Sequence, residues 1–233
     1  MSLLLDKFGR RYSELLGINL ESKTDEEIFK WFLASVLFGA PISETSVVKT
    51  FNCFRRCDVL TPNRVLETGW EGLVKILDEG GYTRYDFKTS DKLLEIARNL
   101  NSKYNGSLNA LHNQARDQTD LERLLKDLGK GIGGVTVGIF LRELRNIWKK
   151  ANPAPTPLVV LAARNLGITE EGKPEEVLRQ LEIFWRENAL ANRGFIEFET
   201  ALLRLGKDYC RKKVCSKCLF KPDCSSFGRL KPQ

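Results

Sequence analysis

Apolar residues recur at helical spacing along almost the whole chain. Ile28, Phe29, Phe32, Leu33, Val36 and Leu37 share one stripe, the i, i+3, i+4 pattern of a helix that buries one face. Asp25 stands where an N-cap belongs. Ser43 opens a second helix running through Val47, Phe51 and Phe54, and Pro62 opens a third at its first turn. Leu93, Leu94, Ile96, Ala97 and Leu100 stripe a fourth, and Leu121, Leu124, Leu125 and Leu128 a fifth that ends at Gly129. Helices over 136–148, 157–166, 174–185 and 196–205 complete the series, and the N-terminal MSLLLDKFGRRYSELL is amphipathic as well. No segment sustains the two-residue alternation of a strand, so the pattern predicts an all-α fold. Trp31, Trp70, Trp148 and Trp185 lie in these stripes or at their ends and are expected in the core.

One connection differs in composition. ANPAPTP (151–157) sets three prolines in five residues. Proline fixes φ and biases the residue before it away from helix, so this stretch is extended and stiff. It predicts a junction between two helical lobes.

Length and composition restrict the class. The chain has 233 residues, 42% hydrophobic and 29% charged, as in a soluble globular protein with a proper core. No apolar run approaches the roughly 20 residues that cross a bilayer, and the N-terminal segment lacks a small-residue cleavage site. With cysteines expected to be reduced, this predicts a cytoplasmic protein, associated with the nucleoid if it binds DNA, and no membrane partner.

Charge adds direction. The net charge is +7. From Arg204 onward, Arg204, Lys207, Arg211, Lys212, Lys213, Lys217, Lys221, Arg229 and Lys231 face only Asp208 and Asp223, a surplus as large as that of the whole chain. The C-terminal region is the positive pole, and a polyanion docking there gains affinity by counterion release.

The same region carries Cys210, Cys215, Cys218 and Cys224, spaced C-x4-C-x2-C-x5-C. Thiolates at this density serve a structural zinc or an iron–sulfur cluster, and a disulfide pair is a third reading. Zinc sites usually pair two knuckles, or one knuckle with two histidines. Here there is one C-x2-C knuckle, and the only histidine, His112, is far away in sequence. Two flanking cysteines at wider spacing fit a [4Fe–4S] cluster better. Cys53 and Cys57, four apart on a helix without nearby partners, read as ordinary thiols.

A second motif lies at LGKGIGGVT (128–136). Gly131 and Gly133 bracket Ile132; glycine permits positive φ and lets a ligand approach the backbone. The helix that follows points free N–H groups at whatever occupies the turn, which makes an anion site. Ile132 would anchor the turn, and Thr136 would cap the second helix or donate a hydroxyl to phosphate. The plain alternative is a glycine-rich turn between two helices.

A G-I-G hairpin between amphipathic helices, a proline-rich stretch after it and a four-cysteine tail resemble the helix-hairpin-helix DNA glycosylases of the endonuclease III type. The likeness covers nearly the whole chain. IFKWFLASVLFGAPISETSV (28–47) is similar to the helix and turn that open the family's core, GGYTRY (80–85) to its Gly-x-Tyr turn, and TPLVVLAARNLG (156–167) to the helix after its catalytic loop. The cysteine spacing departs from the family's in having a shorter first interval.

The resemblance implies a monomer with an N-terminal helix (1–24) packed on the cluster lobe, a core lobe (25–150) holding the hairpin, a second lobe (151–209) and a cluster loop with its tail (210–233). It implies double-stranded DNA, lesion-containing or distorted, lying across Gly129, Lys130, Gly131, Ile132, Gly133, Gly134 and Thr136 and across Arg211, Lys212 and Lys213. A base is flipped into a cleft, bordered by Tyr82, Tyr85, Asp86 and Pro41, the last standing where the family often has a gap-filling glutamine. Arg142, Arg145, Lys149 and Lys150 either extend the phosphate track or form a solvated face.

The family's chemistry does not carry over. Its Schiff-base lysine falls two residues after the hairpin's second glycine, where this chain has Val135, and no lysine occurs over 131–148. Its carboxylate falls before the threonine opening the next helix, where this chain has Pro155, and no Asp or Glu occurs over 144–169. Standard lyase chemistry is therefore not expected. Any glycosylase activity would be monofunctional and use another acid, for which Asp86 and Glu44 are candidates, each with helix-start electrostatics as its plainer role. Two other classes remain open: a DNA-binding or scaffolding module without chemistry, and a zinc-stabilised helical protein unrelated to DNA.

Overall fold

The computed structural model describes residues 1–225 and 227. Arg229 and Lys231, counted in the positive pole, lie outside them. Among the described residues there is no strand. The α-helices are α1 (Ser2–Phe8), α2 (Tyr12–Leu15), α3 (Asp25–Phe38), α4 (Glu44–Arg56), α5 (Pro62–Gly80), α6 (Asp86–Tyr104), α7 (Leu108–Gln114), α8 (Gln118–Lys126), α9 (Gly134–Arg142), α10 (Pro157–Asn165), α11 (Pro174–Asn188) and α12 (Phe195–Leu205). None is long and apolar enough to cross a membrane.

The chain divides into two compact units, one of residues 1–11 with 154–233, the other of residues 12–153. The division falls inside the proline-rich stretch. The first eleven residues belong with the C-terminal unit, and residues 12–24 belong with the other. The single N-terminal helix expected from MSLLLDKFGRRYSELL is in fact two, α1 and α2, interrupted at residues 9–11. The break is stabilised at α2: the N–H groups of Tyr12 and Ser13 donate to the fully buried Glu143 carboxylate at 2.8 and 3.0 Å, satisfying orphan donors of that helix start.

In the 12–153 unit, α3 is the central helix. Nine of its residues are buried, so its stripe widens to nearly all round. Thr24, not Asp25, is the N-cap, its hydroxyl accepting from Glu27 N–H. Asp25 instead accepts from Ser107 Oγ at 2.7 Å and from Asn109, tying the start of α3 to the start of α7. Trp31, fully buried, donates from Nε1 to Phe140 O at 3.0 Å and so joins α3 to α9. Ser43 caps α4 as the sequence predicts, accepting from Ser46 N–H at 3.0 Å, a cap worth about 1 kcal/mol. Helix α5 breaks at Gly69, where φ is +66° and ψ 179°, a conformation open only to glycine.

In the other unit, α1, α10, α11 and α12 enclose a core that includes Leu4, Leu5, Val159, Ala162, Leu181, Phe198 and Leu202. Gly206 packs directly on α10: a Cβ there would stand 2.1 Å from Leu158 O. That contact places the turn 206–210, and with it Cys210, against α10.

Candidate functional site

The hairpin is built by α8, the turn 127–133 and α9. Asp117 caps α8, accepting from Asp120 N–H at 2.8 Å, and Asp120 accepts in return from Arg116 N–H at 3.1 Å. Arg123 adds a contact of 2.7 Å to Asp120. These donors, the Arg116 N–H first, hold the buried Asp120 carboxyl well below the usual carboxylate range. Leu128 and Ile132 are buried and anchor both arms of the turn. Asn99 donates to Leu128 O at 2.9 Å. Gly131 has φ +84°, the left-handed region where a side chain costs about 1–2 kcal/mol.

The crest of the turn is open. A Cβ added at Gly133, Gly134 or Gly138 meets nothing within 4 Å. Val135 is 67% exposed. Gly133 is the N-cap of α9 and has no side chain to satisfy the first N–H groups of that helix. The Lys130 N–H, by contrast, is already held by Glu95 at 2.8 Å, so its amide is not part of the open crest. Thr136 is neither a cap nor exposed: its side chain is buried against Gly39, where a Cβ would stand 2.3 Å from Thr136 Oγ1.

Sequence periodicity gives no sign of Lys92. It stands on α6, half-buried, with its amine 3.5 Å from where a Gly131 Cβ would be. No hydrogen bond or ion pair to it is found among the described residues. Burial alone pushes its pKa down from the ordinary lysine value. An amine so placed gains from an anion at the turn.

The turn 81–85 departs from the expected base pocket. Tyr82 is 1% exposed, and its hydroxyl donates to Leu37 O at 2.8 Å. Burial raises its pKa. It is a core strut, unavailable for stacking. Tyr85 is half-buried, its ring 6.2 Å from that of Tyr82 with Arg84 lying over it. Asp86 opens α6 and accepts from Phe87 N–H at 2.7 Å. Glu44 likewise opens α4. Pro41 is exposed in the α3–α4 connection. Trp70, expected in the core, is 39% exposed; it donates to Asp91 at 2.9 Å and packs its ring on the exposed Phe87 at 5.2 Å.

Of the cations at and after the end of α9, Arg142, Arg145 and Lys150 are engaged within the protein. Arg142 is 2% exposed and lies over the Tyr12 ring. Arg145 binds Asn152 and the carbonyl of Pro153. Lys150 clamps the carbonyls of His112 and Ala115 at 2.5 and 2.6 Å, while Lys149 is exposed. His112 stacks on Trp148 at 4.7 Å, and burial, helped by Lys150, lowers its pKa.

In the other unit, Cys210, Cys215, Cys218 and Cys224 line one cavity of about 50 Å³. Asn165, Tyr209, Lys213, Lys221 and Phe227 complete the lining. Backbone bonds from Lys213 to Cys210, Cys218 to Cys215 and Cys224 to Lys221 fold the loop on itself. Burial pushes the Cys210 and Cys218 thiols up. Among the described residues no group of three or more Cys, His, Asp or Glu closes on a single metal ion. The cysteine donors lining it are all sulfur, the donor type of thiolate-held metal groups. Arg211, Lys212 and Lys213 are exposed on the same loop, with Lys212 at 3.5 Å from Asp208. Cys53 is buried and Cys57 exposed on α4. Pro155 is buried just before Thr156, which caps α10 through Val159 N–H.

No protein-family model matches the chain, and no curated protein matches it. The class that fold and sites define is an all-α protein of two compact units, with a glycine-crested hairpin in one and a four-cysteine cavity in the other.

Proposed function

We propose that this chain binds damaged or distorted duplex DNA in the manner of a base-excision-repair protein resembling endonuclease III. The observation that carries the reading is the hairpin crest: open glycines, N–H groups at the start of α9 that no side-chain cap takes up, and beside them the Lys92 amine, without a hydrogen bond or ion pair among the described residues. Backbone N–H groups at a helix start favour phosphate, and the nearby cation adds counterion release. Arg211, Lys212 and Lys213 supply further phosphate contacts from the cysteine loop. That loop holds a [4Fe–4S] cluster through Cys210, Cys215, Cys218 and Cys224, which would supply a rigid four-point anchor for it. A colourless protein with stoichiometric zinc and no iron or sulfide would instead support the zinc-stabilised alternative.

Base release, if it occurs, uses an acid other than the family's. Asp86 is the candidate for that role in DNA bound at the 81–88 turn. A module that binds without chemistry is the second reading. It is favoured by Val135 standing exposed at the lysine position, Pro155 buried at the acid position and Asp86 engaged with Phe87 N–H.

The test is binding and base release on duplexes carrying uracil, hypoxanthine, alkylated or oxidised bases, or abasic sites. Wild type should bind with steep salt dependence, and Gly131→Ala should weaken that binding. Release abolished by Asp86→Asn with binding intact assigns the acid; binding without release from any lesion assigns the module. Borohydride should trap no adduct through Val135's position. Absence of salt-sensitive DNA binding would sink the reading.

A further inference from the structure

The last carbonyls of a helix have no intrahelical donors. At the end of α10, two of them are taken by Ser225, the residue after Cys224. Ser225 N–H donates to Asn165 O at 2.8 Å, and its Oγ lies 3.1 Å from Asn165 O and 3.3 Å from Arg164 O. The Asn165 side chain also lines the four-cysteine cavity and is hydrogen-bonded to Cys210. One residue of α10 thus touches both ends of the loop, the first cysteine by its carboxamide and the segment after the last by its carbonyl.

We propose that Asn165 is a positioning residue of the four-cysteine site, donating an N–H to the Cys210 sulfur and holding the far end of the loop through Ser225. The inference rests on the cluster reading given above. A donor to a ligating sulfur orients the ligand and withdraws electron density, which makes a bound iron–sulfur group easier to reduce. Removing such a partner typically costs about 10–100-fold in metal retention. Leucine at this position keeps the branched skeleton and the main-chain carbonyl but removes the donor. Aspartate keeps the shape but places negative charge against sulfur.

The experiment compares wild type with Asn165→Leu, Asn165→Asp and Ser225→Ala, all prepared anaerobically. Iron and sulfide content, reduction potential and the rate of iron loss to a chelator are measured. Asn165→Leu should reduce at a more negative potential and lose iron ~10-fold faster or more. Asn165→Asp should shift the potential further in the same direction while leaving helix content unchanged. Ser225→Ala, which retains its N–H, should speed iron loss without moving the potential. Potentials of both Asn165 variants equal to wild type overturn the inference and leave the cluster reading standing. Wild type without iron and sulfide overturns both, and if either Asn165 variant misfolds, the other decides on potential.

Discussion

Lys92 is the residue on which most turns at the hairpin. Its stem passes Gly131, with Cε 3.3 Å from where a Cβ would be, so the glycine provides room as well as a positive φ. Its pKa lies below the ordinary value because burial disfavours the charged form. A phosphate would favour the charged form, so DNA binding should draw a proton onto Lys92 at alkaline pH. Affinity should then fall as pH rises through the free amine's lowered pKa. Lys92→Met should weaken binding, flatten that alkaline decline and reduce the salt slope by about 1, read by fluorescence anisotropy at several salt concentrations and pH values. An unchanged slope would remove Lys92 from the phosphate contact. Nothing in the sequence marks this residue, because its neighbour Gly131 is distant along the chain. Tyr82 and Thr136 are likewise set by residues distant along the chain: the Tyr82 hydroxyl donates to the carbonyl of Leu37, and Thr136 packs against Gly39.

The helices were largely legible as elements, since helical periodicity reports a buried face directly. Ser43 and Pro62 mark the starts the structure has. What stayed hidden were features set by tertiary contact or by one residue's dihedrals: the break at Gly69, the split of α1 from α2, and α7, whose seven residues carry only two buried side chains. Glycine can sit inside a helical pattern without disturbing it, so Gly69 left no trace in the period. Helix α8 gives the hairpin its first arm, and near its start the Asp120 carboxylate accepts from Arg116 N–H and Arg123. The folded carboxyl titrates below the value of about 3.9 expected for the unfolded chain. Folding therefore gains from Asp120 above about pH 4 and loses that gain as pH falls through the folded value. Asp120→Asn should lower the melting temperature near neutrality. Its deficit against wild type should shrink on acidification. A deficit constant with pH would mean that shape, not charge, is what Asp120 supplies.

At the scale of the molecule, the hairpin and the cysteine loop belong to different units, and each bears its own cations. The four cysteines were legible as a set because short spacing confines their approach to one another; the cavity they line was not, since Asn165 reaches it from the end of α10. The surplus of positive charge near the C-terminus is a statement about the chain, whereas Arg211, Lys212, Lys213, Lys217 and Lys221 are the cations exposed on the described loop. If one DNA segment engages both units, each phosphate contact removed should lower the salt slope independently. Lys212→Ala and Lys92→Met should each reduce it by about 1, and the double variant by about 2, with losses in binding free energy that add. If each single variant weakens binding but the double is no worse than the weaker single, the two sites do not hold the same duplex. The DNA reading would then be confined to whichever unit retains the salt dependence. Full additivity, measured on undamaged and lesion-bearing duplexes alike, would place both contacts in the sequence-independent part of binding and leave lesion preference to the residues around the 81–88 turn.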